Sequence, residues 1–213
     1  MKCINKVVKM MIFLTLMLGC VGILLPKGNE KFQEIESLFT NMGIFQKPLE
    51  GEVVSEALGI PYSVDTLPIS NKRPGNKRKI KYIVVHNTAN ENSTAQNERD
   101  YLSNPNNTAS TSWNIVVDDA EIIEAIPVTE VAFHAGNGLG NQYGIGIEIC
   151  ESGDIKQAEE HAIRLIAYLM KTYNIPIENV KTHKDFSGKE CPRQILGHWD
   201  TFKQQVEEAY KKL

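Results

Sequence analysis

Cysteine is scarce in this chain: Cys3, Cys20, Cys150 and Cys191 are the four in 213 residues, too few for a disulfide scaffold. An excess of positive charge is missing as well. Lysine and arginine number 23 against 26 acidic residues, a formal net charge of −3, which argues against nucleic acid as a partner. No spacing repeats along the chain. With 42% hydrophobic and 23% charged residues, neither a disordered chain nor a polytopic membrane protein fits. What remains is one globular domain with an extension.

Residues 1–25 are set apart by their pattern. Lys2, Lys6 and Lys9 precede Met10–Leu25, a run without charge. A basic flank before an apolar run is the pattern of a secretory signal or membrane anchor, and predicts a protein outside the cytoplasm, anchored or secreted. A full span needs about 20 residues, which Val7 and Val8 help to supply if Lys9 snorkels. Leu18-Gly19-Cys20 resembles a lipobox, loosely, and no A-x-A cleavage site follows.

Residues 26–77 read as a spacer. Lys31–Met42 has Phe32, Ile35, Leu38 and Phe39 at helical spacing, and Pro48, Gly51, Pro61, Pro68, Pro74 and Gly75 then punctuate a polar stretch. Lys72, Arg73, Lys77, Arg78, Lys79 and Lys81 form a basic cluster, expected on a solvated face.

The folded domain is expected over 78–213. Ile80–His86 is rich in β-branched and aromatic residues and reads as a buried strand. Thr94–Leu102 predicts a short helix. Trp113–Val117 and Glu121–Ile126 predict a hairpin turning at Asp118-Asp119-Ala120, and Tyr143–Cys150 alternates as a strand. Ile155–Tyr173 carries Ala162, Leu165, Ile166 and Leu169 at helical spacing; Val180–His183 reads as a strand and Trp199–Leu213 as a charged helix. The pattern predicts an α/β domain, a central mixed sheet covered by helices on both faces.

Strand parity points to a site. Ile145, Ile147 and Ile149 share one face of their strand; Gly144, Gly146, Glu148 and Cys150 share the other. Two glycines beside one carboxylate predict open space above the sheet, and a carboxylate there is costly to bury without compensation. His86 ends the first strand. His183 and Cys191 bracket a polar loop with Gly188 inside and Pro192 behind, so both ends can meet. Imidazole and thiolate together suit zinc, and three ligands with one open position is the catalytic pattern. Taken alone, this spacing is a weak signal. If the end of the loop is extended, Lys189 projects to the side of Cys191 and places an ammonium near the metal. A second ligand set, His86, His134 and Cys150, stays open at this point because Cys150 shares the face of Glu148.

The stretches IVVHNTA (83–89), FHAG (133–136), GIGIEIC (144–150) and HKDFSGKECP (183–192), in this order, resemble the zinc-dependent N-acetylmuramoyl-L-alanine amidases. That family includes phage endolysins and bacterial autolysins and shares its fold with peptidoglycan recognition proteins. The resemblance spans about residues 78–200.

It implies that His86, His183 and Cys191 hold zinc, that Glu148 is the catalytic carboxylate and that Lys189 polarises the scissile carbonyl or holds its oxyanion. It implies further that His134 lines the substrate groove and that Trp113 stands near it, where many relatives carry a tyrosine or histidine. The implied substrate is peptidoglycan, cut by zinc-activated water between N-acetylmuramic acid and the L-alanine of the stem peptide. The alternative is a muropeptide-binding module of the same fold without hydrolysis. Such modules often lack the cysteine ligand, so Cys191 favours the enzyme. A thiolate tied in a disulfide cannot hold zinc, so Cys150 and Cys191 are both expected reduced.

Overall fold

A computed structural model describes residues 46–136 and 138–213. The expected signal or anchor (1–25) and the helix over Lys31–Met42 lie outside the described residues. Among those described, no helix is long and apolar enough to cross a membrane.

Six strands build one sheet: β1 (Tyr62–Val64), β2 (Tyr82–Asn87), β3 (Ile115–Val117), β4 (Ile122–Glu124), β5 (Gly144–Ile149) and β6 (Val180–Thr182). Their spatial order is β1-β4-β3-β5-β2-β6. The β3–β4 hairpin is antiparallel and every other pair parallel, so the sheet is mixed. The helices are α1 (Gly51–Leu58), α2 (Ala95–Ser103), α3 (Leu139–Tyr143), α4 (Ile155–Tyr173), α5 (His183–Ser187) and α6 (Trp199–Lys212).

The alternation read from the sequence divides the core into two layers. Ile83 and Val85 of β2, Ile115 and Val117 of β3, and Ile145, Ile147 and Ile149 of β5 face one way. They meet Val54 and Leu58 of α1, the Ala158-Ala162-Leu165-Ile166-Leu169 stripe of α4, and Phe202 and Val206 of α6. On the opposite face Val116, Ile123 and Cys150 pack with Trp113 and with Ala95 and Leu102 of α2. Local chemistry ends the helices where the pattern placed their ends. Asp154 caps α4 by accepting from the Gln157 amide, and Asn174 closes it in the left-handed conformation, φ 52°.

The spacer expectation is corrected between 46 and 77. Val54, Leu58, Ile60 and Tyr62 are buried in the main core, and β1 pairs in parallel with β4, Tyr62 opposite Ile122. The segment also hydrogen-bonds onward, from Asp65 N to Glu124 O (3.1 Å) and from Leu67 N to Ala125 O (2.9 Å). Tyr62 donates from its hydroxyl to Glu124 Oε2 at 2.9 Å. A one-turn pair of apolar residues and a three-residue strand are too short to register as periodicity; their burial is decided by partners about 60 residues away.

The basic cluster is a solvated face only in part: Lys77, Lys79 and Lys81 are exposed, but Lys72 is buried and Arg73 and Arg78 are half-buried. Lys72 is buried with its ammonium on Asn107 O. Arg73 and Lys77 pair with Glu130 at 2.8 and 3.4 Å. Arg78 runs into the protein, donating to Val128 O (3.0 and 2.8 Å), Asn114 Oδ1 (2.9 Å) and Gly144 O. Burial pushes its guanidinium down to about 9.

Candidate metal centre

Three parallel neighbours, β5, β2 and β6, bring their carboxyl ends to one edge, where open α/β sheets place their ligand sites. His86 is the penultimate residue of β2 and lies opposite Glu148 of β5. His183 is the first residue of α5, directly after β6. Thr182 caps that helix in a reciprocal box with Asp185, which sets the direction in which His183 leaves the strand. Gly188 ends the helix at φ 77°, and the Lys184 amide donates 3.1 Å to Cys191 O, folding the loop back so that Cys191 returns beside His183.

The side chains converge. Nδ1 of His86 lies 3.1 Å from Nδ1 of His183 and 3.7 Å from Sγ of Cys191. Among the described residues, His86, His183 and Cys191 form a group able to hold a metal ion, their donor atoms all within 4.8 Å of one another. Cys150 is outside that group, fully buried in the second apolar cluster, so the alternative ligand set of His86, His134 and Cys150 is not assembled. Both cysteines are free.

The electrostatics fit a cation. Burial, then the neighbouring rings of His134 and His183 and the Lys189 charge, holds His86 well below the usual imidazole range. Burial and Lys189 also lower His183. Both rings are therefore neutral and offer lone pairs. Burial pushes the Cys191 thiol up to about 11, against the Asn87 backbone amide donating to its sulfur. Glu148 is pushed up to about 8 by burial first and by the Glu98 charge second, Lys189 opposing. Its Oε1 lies 3.9 Å from His86 Nδ1, and its Oε2 is buried without a hydrogen-bond partner. Two neutral imidazoles, one reluctant thiolate and an orphaned carboxylate oxygen are what a bound dication would compensate.

Four sequence expectations meet a different arrangement. The face with Gly144 and Gly146 is not open, because a Cβ at Gly146 would lie 2.5 Å from the His134 ring. His134 itself does not line a groove. It is 4% exposed and stands behind His86, its Nδ1 3.0 Å from His86 Nε2. Trp113 is 5% exposed and stacked under Tyr101, ring centroids 6.4 Å apart, with its indole Nε1 unpartnered. Lys189 is exposed and its charge reaches His86, His183 and Glu148, but through a different backbone. Cys191 N donates 2.7 Å to Lys189 O, a three-residue turn about Glu190 rather than an extended end.

Residues without a sequence signal hold the loops. Glu151, 3% exposed, accepts from Arg193 Nε at 2.9 Å, from Gln194 Nε2 at 3.3 Å and from the Ala89 amide at 3.2 Å. Asn87 accepts from Gln194 N at 3.1 Å and donates to Ile149 O at 3.3 Å. Together they tie the loop after β2 to the loop after Cys191. An acid two residues beyond a strand looks like any surface carboxylate until its partners, about 40 and 60 residues away, are known.

Fold and site define a class: an α/β domain with two imidazoles and one thiol gathered at the carboxyl ends of parallel strands, beside a half-buried carboxylate. The N-acetylmuramoyl-L-alanine amidase profile matches residues 76–194, and the chain belongs to that family. It is 47% identical over 146 residues to N-acetylmuramoyl-L-alanine amidase CwlH of Bacillus subtilis (strain 168), covering 65% of this chain and 58% of that protein. With XlyA of the same organism the identity is 48% over 146 residues, 65% of this chain and 48% of the relative. The chain thus spans about half the length of these relatives. The solved catalytic domain of XlyA superposes with a TM-score of 0.67 at 45% identity, covering 69% of this chain and 99% of that domain.

Proposed function

We propose that this protein hydrolyses peptidoglycan at the amide between the lactyl group of N-acetylmuramic acid and L-alanine of the stem peptide, with zinc held by His86, His183 and Cys191. The observation that carries the reading is the meeting of those three donors at 4.8 Å or less, with Glu148 directly opposite His86 on the adjoining strand. The relatives' name, N-acetylmuramoyl-L-alanine amidase, supports it.

Zinc, when bound, supplies a Lewis acid that makes water nucleophilic near neutral pH and polarises a carbonyl. Thiolate and imidazole donors, numbering three, leave a position for substrate or water. Glu148, with Oε1 3.9 Å from His86 Nδ1 and Oε2 unpartnered, takes a proton from the attacking water. It then returns that proton to the amide nitrogen as the carbon–nitrogen bond breaks, leaving a lactyl carboxylate and a free L-alanine amine. Lys189 places its ammonium where negative charge grows on the carbonyl oxygen; removing one such donor costs about 10²–10³ in rate. His134 and Trp113 take no substrate-contacting role in this reading, because both are covered.

The test is digestion of purified cell wall by zinc-loaded protein, with product masses and newly exposed amino termini determined. L-alanine amino termini are expected, absent with Glu148→Ala. New reducing sugars, or no product, would overturn the assignment. Delivery to the membrane or wall through residues 1–25 belongs to the same proposal, supported by Lys2, Lys6 and Lys9 before an uncharged run. Intact mass of the mature protein separates a retained anchor, a lipidated Cys20 and a cleaved signal.

A further inference from the structure

His134 is buried behind His86 and has no place in the chemistry above; its hydrogen bonds give it another.

Its Nε2 lies 3.2 Å from Gly144 O, an atom that only accepts. The proton of the neutral ring is therefore on Nε2, and Nδ1 carries the lone pair. That Nδ1 is 3.0 Å from His86 Nε2, so His86 is the donor in this contact and carries its own proton on Nε2. One nitrogen of His86 then remains as a lone-pair donor, Nδ1, which faces His183 Nδ1 and Cys191 Sγ. The tautomer needed for a ligand is set from behind, by a carbonyl two rings away.

The surroundings lock this relay. The Asn141 side-chain oxygen accepts from the His134 amide at 2.9 Å and the Ala135 amide at 2.7 Å, fixing the backbone. Gly146 supplies the room, since a Cβ there would lie 2.5 Å from His134 Cγ and Cδ2. Gly144 O also accepts from the buried Arg78 guanidinium, which is anchored on Val128 O and Asn114 Oδ1. A donor so placed keeps the carbonyl oriented.

We infer that His134 is a positioning residue of the metal centre, holding His86 in the Nε2–H tautomer with Nδ1 directed at the ion, and that Gly146 and Arg78 hold His134 in place. The inference rests on the metal-binding reading and concerns affinity for the ion, not contact with substrate.

Zinc affinity of the full chain, measured by competition with a chromophoric chelator, is the first test. His134→Leu is expected to weaken zinc by about 10–100-fold. His134→Gln is expected to recover most of that loss, because its amide can donate to Gly144 O and accept from His86. The melting temperature of the metal-free variants is the control: a merely structural role lowers it without Gln rescue of affinity. Imidazole nitrogen NMR of the zinc-loaded wild type needs no variant to fold, and is expected to show the His86 proton on Nε2. Unchanged zinc affinity in His134→Leu, or a His86 proton on Nδ1, overturns the inference while leaving the metal reading intact. Failure of the wild type to bind zinc overturns both.

Discussion

The Nδ1 atoms of His86 and His183, 97 residues apart in the chain, face each other at 3.1 Å with Cys191 Sγ 3.7 Å from the first. Two lone pairs at that separation repel unless something positive stands between or beside them. Zinc is therefore expected to raise the melting temperature, by linkage worth about 2.7 kcal/mol at a free concentration a hundred times the dissociation constant. Cys191→Ser should abolish most of the rise, whereas Cys150→Ser should leave zinc stoichiometry at one. Scanning calorimetry with metal analysis checks both, and zinc lost only in the Cys150 variant would reverse the ligand choice.

Removal of the carboxylate should separate chemistry from binding. Glu148→Gln keeps the shape of the side chain but cannot accept the proton, so the hydrolysis rate is expected to fall by about 10²–10⁴. Metal content should be retained, since Glu148 is outside the donor group. Turnover on purified wall, read beside zinc analysis of the same preparation, decides it; loss of the metal together with the rate would make Glu148 a ligand.

Glu124 predicts a pH dependence far from the metal. It is 2% exposed, accepts from Tyr62 Oη and from Val128 N, and burial pushes its carboxyl from 4.5 up to about 7. The folded state then holds this proton more tightly than the unfolded chain does. Its contribution to stability is complete below about 4.5, declines as pH rises to about 7, and is level above that. The full difference is about 3 kcal/mol. Glu124→Gln removes this slope, and above pH 7 should be more stable than the wild type. Urea midpoints of the two proteins at pH 4.5, 6 and 8 test it; parallel profiles would refute the assignment.

The stretch from 46 to 67 is part of the folded unit, and its residues should behave as core. Leu58, 1% exposed on α1, packs with α4 residues in the main cluster. Leu58→Ala is expected to cost about 2–5 kcal/mol, the range for a buried leucine. A true spacer position would change stability by about 0.5 kcal/mol or less. Denaturant unfolding distinguishes the two.

Much of the fold is legible in the sequence. The isoleucines of β5 and the apolar stripe of α4 follow periods of 2 and 3.6 because side-chain direction is a local property of the backbone. The loop from His183 to Cys191 was recognisable by residue type and spacing, and by resemblance. The reading failed wherever local pattern was silent about partners. Arg78 looked like one more lysine-rich surface charge, yet its donors end on carbonyl oxygens about 50 and 66 residues away. Gly146 suggested an open trough, yet the space is filled by a ring from a different loop.

The amino-acid sequence by itself determined the elements, the faces they bury and the ligand chemistry, since each is encoded within a few neighbouring residues. Only the tertiary structure decided which histidines meet Cys191 and which stands behind them, where the described domain begins, and which charges are internal. Those outcomes depend on contacts between distant segments. Residue types restrict such contacts, but only the packed chain, where each buried polar group must find its particular partner, selects among them.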